Sequence, residues 1–139
     1  MTPLAIRLAE RVRAQGPVPL EEVLDAALYH PGQGFYATGG SAGRRGDFLT
    51  SPEVGPLFGA VLARALDRWW HELGRPDPFT VVEAGAGAGT LALAVLAARP
   101  ACGPALRYAL VERSDALRRA QHSHLRPRPV AAWEAPRAS

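Results

Sequence analysis

Between Val81 and Thr90 the chain reads Val-Val-Glu-Ala-Gly-Ala-Gly-Ala-Gly-Thr, an acidic residue followed by glycine at every second position. The valines before Glu83 are strand formers, and Thr90 opens an Ala/Leu-rich stretch of helical composition. The glycines therefore sit on a strand–turn–helix junction. Glycine there permits φ > 0 and lets the backbone approach a flat nucleoside, while the helix start presents unpaired N–H groups. The spacing then separates one nucleotide class from another. A dinucleotide fingerprint needs G-x-G-x-x-G, and counted from Gly85 its third glycine position is Thr90. A phosphate-gripping loop needs Lys followed by Ser or Thr, and all 16 basic residues of this chain are arginine. The turn matches neither phosphate-binding pattern, and Glu83 at the strand end can face a cationic end of a ligand.

A second carboxylate fits the same chemistry. Tyr108-Ala109-Leu110-Val111-Glu112 reads as the next strand with an acidic residue at its end, the position that accepts hydrogen bonds from ribose hydroxyls. The competing reading is a surface carboxylate paired with Arg113. Together the two elements resemble the class I S-adenosylmethionine methyltransferases, whose first motif is E-x-G-x-G-x-G and whose cofactor carries no phosphate. That resemblance assigns Glu83, Gly85, Gly87, Gly89 and Glu112 to the cofactor.

The elements that must position these residues follow from periodicity. Thr2-Pro3 is a helix cap and first-turn proline, with Leu4, Leu8 and Val12 on one face until Gly16. A second short helix runs from Pro19 to about Tyr29, and a glycine-rich stretch from His30 to Thr50 is long enough to be a functional loop. Ser51-Pro52 repeats the cap. Val54, Leu57, Phe58, Val61, Leu62, Ala65, Trp69 and Leu73 then form one apolar stripe closed by Gly74. After the breaker Arg75-Pro76-Asp77-Pro78 the pattern becomes strand (79–83), turn (85–89), helix (90–98), strand (106–112), and a helix capped by Ser114 that runs to about Ser123. A third strand begins near 129–133. This alternation predicts an α/β fold with a parallel sheet, the first part of a Rossmann-like domain over 75–139, preceded by an α-helical segment over 1–74.

Composition narrows the function classes. The net charge of +3 comes from arginines scattered along the chain, without the aromatic interleaving of a nucleic-acid binder. No apolar run approaches the ~20 residues of a membrane span. The N-terminus lacks the layout of a secretory signal, and Glu10, Glu21 and Glu22 interrupt the arginine pattern of a transit peptide, so a cytoplasmic protein is expected. Cys102 is the single cysteine, and His122 and His124 lack a third ligand nearby, so no metal site is expected.

More specific blocks lie upstream of the glycine turn. Leu28-Tyr29-His30-Pro31-Gly32, Gly34-Phe35-Tyr36, Gly46-Asp47-Phe48-Leu49-Thr50-Ser51-Pro52-Glu53-Val54 and Leu57-Phe58-Gly59 resemble the MidA-like methyltransferase family in order and spacing. That family includes the mitochondrial complex I assembly factor that dimethylates an arginine. The resemblance implies methyl transfer from S-adenosylmethionine to a nucleophile, with a protein arginine as the expected acceptor. Since arginine stays protonated, carboxylates must orient it, and Asp47 and Glu53 are the catalytic candidates. Their structural alternatives are a turn residue and a first-turn helix carboxylate. Two departures stand out: Ala84, Ala86 and Ala88 between the glycines where relatives often carry bulkier residues, and a short chain whose tail, Glu134 to Ser139, reads as an abrupt stop or a frame-altered end. Three strands alone would leave sheet edges and faces uncovered. The competing functions are another Rossmann-type nucleotide binder and a non-catalytic interaction module.

Overall fold

The computed structural model describes residues 1–38, 40, 55–125 and 131–132, the last two by their backbone. The chain forms two compact units, 1–40 and 41–139. The helix that precedes the composition break near 74 packs within the sheet-bearing unit.

In the first unit, α1 (Pro3–Gln15) begins where Thr2 Oγ1 accepts the Ala5 N–H at 3.3 Å, and it stops at Gly16, whose φ is +85°. α2 (Leu20–Tyr29) follows, and Arg11 pairs with Glu22 across the two helices. The expected irregular loop starts as a tight turn. Gly34, Phe35 and Tyr36 donate their N–H groups to His30, Ala27 and Leu28 at 2.7, 2.8 and 2.9 Å. The Tyr36 ring packs 5.6 Å from Tyr29 and 5.0 Å from Phe35. His30 Nδ1 lies 2.8 Å from the Pro31 carbonyl, so it carries the proton and leaves Nε2 to accept from Arg7 at 2.9 Å.

The second unit holds α3 (Pro56–Glu72), β1 (Phe79–Ala84), α4 (Thr90–Ala97), β2 (Leu106–Val111), α5 (Asp115–His124) and β3 (Ala131–Ala132). The three strands are parallel in the order β1-β2-β3, with Phe79 opposite Leu106 and Ala84 opposite Val111. Alternation along β1 and β2 turns Phe79, Val81, Glu83, Leu106, Tyr108 and Leu110 to one face. That face carries the core, with Ala63, Leu66, Ala92, Val95 and Leu125 packed with the buried strand residues. On the other face Val82 is 61% exposed.

The buried face of α3 differs from the apolar stripe of the sequence. Gly59, Ala63, Leu66 and Asp67 are inside, while Leu57, Val61 and Leu73 are largely exposed. Closeness of approach decides this rather than hydrophobicity. A Cβ on Gly59 would collide with Ala94 and the α4 backbone, so the helices meet where side chains are smallest. Trp70 is partly buried and donates its indole N–H to the Pro76 carbonyl at 2.9 Å, whereas Trp69 is 42% exposed.

Asp67 is the polar member of the buried α3 face. Its Oδ1 accepts the Cys102 N–H at 2.9 Å, fixing the turn that leads into β2. Burial alone would raise its pKa, but hydrogen bonds from the Cys102 and Ala101 backbone outweigh that and hold it below the ordinary 3.8.

Two stability measurements follow. Gly59→Val should overpack the α3–α4 contact and cost about 1–3 kcal/mol, seen as a lower thermal midpoint; an unchanged midpoint would mean the helices do not meet there. Asp67→Ala should cost about 1–3 kcal/mol at neutral pH by orphaning buried N–H groups. Because the folded pKa is depressed, wild type loses this contribution as pH falls from 3.8 through the folded value, so the gap between variant and wild type should narrow in acid.

Candidate functional site

β1 delivers Glu83 and then breaks into the glycine turn at Gly85. The Gly85 and Ala86 N–H groups both bond the Val111 carbonyl, at 2.8 and 3.1 Å, so the turn is hooked onto the end of β2. Gly85, Gly87 and Gly89 have φ of +71°, +55° and +84°, and any other L-residue there would cost about 1–2 kcal/mol each. Their surroundings differ. A Cβ at Gly85 or Gly87 would meet nothing within 4 Å, whereas at Gly89 it would lie 3.2 Å from Leu125 and 3.5 Å from Leu110. The turn is open over its first two glycines and packed under the third.

Glu112, directly after β2, is 7% exposed, which removes the surface-carboxylate reading. Its Oε2 accepts the Gly87 N–H at 2.8 Å and its Oε1 the Ser114 N–H at 2.7 Å. A carboxylate offers about four acceptor positions, so each oxygen keeps one for a further donor. Ser114 in turn caps α5, its Oγ accepting the Leu117 N–H at 3.3 Å.

Glu83 is in a different state. It points to the core face, where the Tyr108 hydroxyl hydrogen-bonds its carboxylate, while its Oε2 is buried with no partner among the described residues. Burial pushes its pKa up, and the Tyr108 bond offsets only part of that. Tyr108 is itself raised well above its ordinary range by burial and by Glu83. A buried carboxylate with one oxygen left over, two residues before the first glycine of the turn, suits a cationic donor.

Three α5 side chains escaped the sequence reading. Arg118 Nη1 donates to the Glu112 and Arg113 carbonyls at 2.7 and 2.8 Å, and its other nitrogen pairs with Asp115. Gln121 Nε2 donates to the Gly87 carbonyl at 2.7 Å, and His124 Nδ1 lies 3.2 Å from the Ala88 carbonyl. Their spacing from the Ser114 cap marks them as one helix face pointing back at the turn. Asp47 and Glu53 lie outside the described residues, as does Trp133. Glu83 ends β1 directly before the glycine turn, and Glu112, directly after β2, is bonded to the Gly87 N–H of that turn.

Comparison with known proteins agrees. A family of S-adenosyl-L-methionine-dependent methyltransferases matches residues 61–137. The Drosophila melanogaster protein arginine methyltransferase NDUFAF7 homolog, a mitochondrial protein, is 41% identical over 67% of this chain and 21% of its own length. Human mitochondrial NDUFAF7 is 34% identical over 66% of the chain and 21% of its own length. The chain thus spans about a fifth of these relatives. A Burkholderia thailandensis protein crystallised with S-adenosyl-homocysteine superposes with a TM-score of 0.77 at 37% identity, covering 95% of this chain and 37% of that one. The expectation of a cytoplasmic protein does not stand. The relatives compared are mitochondrial proteins, and Glu22, one of the acidic residues read against targeting, is the salt-bridge partner of Arg11. On its sequence, its parallel α/β fold and its glycine turn, the chain belongs to the MidA-like S-adenosylmethionine-dependent methyltransferases.

Proposed function

We propose that this chain holds S-adenosylmethionine across the 83–89 turn and serves methyl transfer to a protein substrate, with arginine as the acceptor. One observation carries the reading: an open turn of left-handed glycines lies between a buried, half-satisfied carboxylate and a second carboxylate that keeps acceptor capacity. The relatives named as protein arginine methyltransferases supply the acceptor class. The cofactor, when bound, supplies a methyl group on an already activated sulfonium. The task of the chain is then placement and exclusion of water. Glu83 accepts from the cationic amino end, Gly85 and Gly87 let the backbone lie against the nucleoside, and Glu112 accepts from the ribose hydroxyls. Asp47 and Glu53 are the carboxylates proposed to orient a guanidinium.

Calorimetric titration with S-adenosylhomocysteine should give saturable binding, and NAD should give none; a folded chain that takes up neither would overturn the assignment. Glu112→Ala should weaken binding roughly tenfold or more, and unchanged affinity would remove Glu112 from the ribose. Glu83 gives a pH signature. Its pKa in the free protein is raised above 4.5, so a cation that needs the ionised form binds more weakly as pH falls through that raised value. Glu83→Gln should bind more weakly and flatten this dependence; a variant that kept the wild-type slope would assign the proton to another group.

A further inference from the structure

Gly87 is gripped from both sides. Its N–H belongs to the peptide plane before its Cα and is held by Glu112 Oε2 at 2.8 Å; its carbonyl belongs to the plane after and is held by Gln121 Nε2 at 2.7 Å. Fixing both planes fixes both φ and ψ of a glycine, the residue with the most freedom to lose. Gln121 is 4% exposed, so its own rotamer is frozen in the packing of α5. It stands seven residues, two helical turns, beyond Ser114, whose N–H is bound to the other oxygen of Glu112. Glu112, the α5 cap, Gln121 and Gly87 therefore close a ring of hydrogen bonds around the turn.

We infer that Gln121 is a positioning residue, one that sets the left-handed conformation of Gly87 before any ligand arrives. The inference rests on the reading of this turn as the S-adenosylmethionine site for its consequence, but not for its geometry. The side-chain type suits the role. The Gly87 carbonyl needs a donor, and a neutral amide supplies one without adding a charge to the turn. A ligand meeting a preset turn does not have to order it on binding, which is where the affinity arises. The Gly85 and Ala86 N–H groups tie the start of the turn to the Val111 carbonyl, so the side chains that hold its middle are Glu112 and Gln121, with His124 near the Ala88 carbonyl at 3.2 Å.

The test uses the full chain with Gln121→Met, which keeps the unbranched length and removes the donor, and Gln121→Glu, which donates only when protonated. Amide exchange of the Gly87 N–H is read without ligand, and S-adenosylhomocysteine affinity is read well below the unfolding temperature. Gln121→Met should speed Gly87 exchange and weaken binding about tenfold, the scale of one lost buried hydrogen bond. Gln121→Glu should show a deficit relative to wild type that shrinks as pH falls through the new carboxyl's titration, a rescue that a packing role would not produce. If Gln121→Met exchanges and binds as wild type does, Gln121 only fills space and the inference is overturned. If Gln121→Met does not fold, the acid rescue of Gln121→Glu decides alone. Should wild type itself fail to bind, the cofactor reading falls, while Gly87 exchange still decides whether Gln121 sets the turn.

Discussion

A carboxylate that accepts a backbone N–H from a turn 25 residues upstream is the tie on which this site depends. Parallel strands cannot be joined by a tight hairpin, so the loops at their ends have no covalent reason to stay together. Here the loop after β1 and the loop after β2 share Glu112, whose two oxygens take one amide from each. Hydrogen bonds from the glycine turn to the Val111 carbonyl complete the seam. Charge-assisted hydrogen bonds to a buried carboxylate are among the stronger polar contacts available to a protein, and they orient as well as attract.

The same strand is tethered at its other end. Asp67, from the inner face of α3, holds the Cys102 N–H just before β2 begins. β2 thus runs between two carboxylates that both bind backbone amides, one at each end, with Tyr108 and Leu110 buried between them. Packing serves this arrangement. The glycine contact between α3 and α4 brings Asp67 within reach of the 101–102 turn, a distance that a bulkier helix face would not allow.

Much of this was legible in the residues. Strand, turn and helix from 79 to 98 follow from a change of periodicity and a run of glycines, and their bounds agree with the fold to within about a residue. The left-handed glycines of the turn and the carboxylates at the two strand ends were legible as positions in the fold, because backbone conformation and charge are local properties. The inner face of α3 was not, since the stripe of large apolar residues points to one face and the fit of small ones chooses another. Nor were Gln121 and Arg118, polar residues on a polar helix whose role exists only once α5 has been folded back over the turn. Compartment was the least accessible property, because a few acidic residues near a chain start are equally compatible with a surface helix.

The Asp67–Cys102 contact also makes the chain's single thiol inert. Cys102 is fully buried, and burial together with the neighbouring carboxylate pushes its pKa up to about 11. At neutral pH roughly one thiol in ten thousand is then a thiolate, and none of it faces solvent. A thiol reagent reaches this sulfur only when the α3–β2 junction opens. Its rate of labelling therefore reports how often that junction opens, scaled by the reactivity of the exposed thiol when reclosing is faster than reaction.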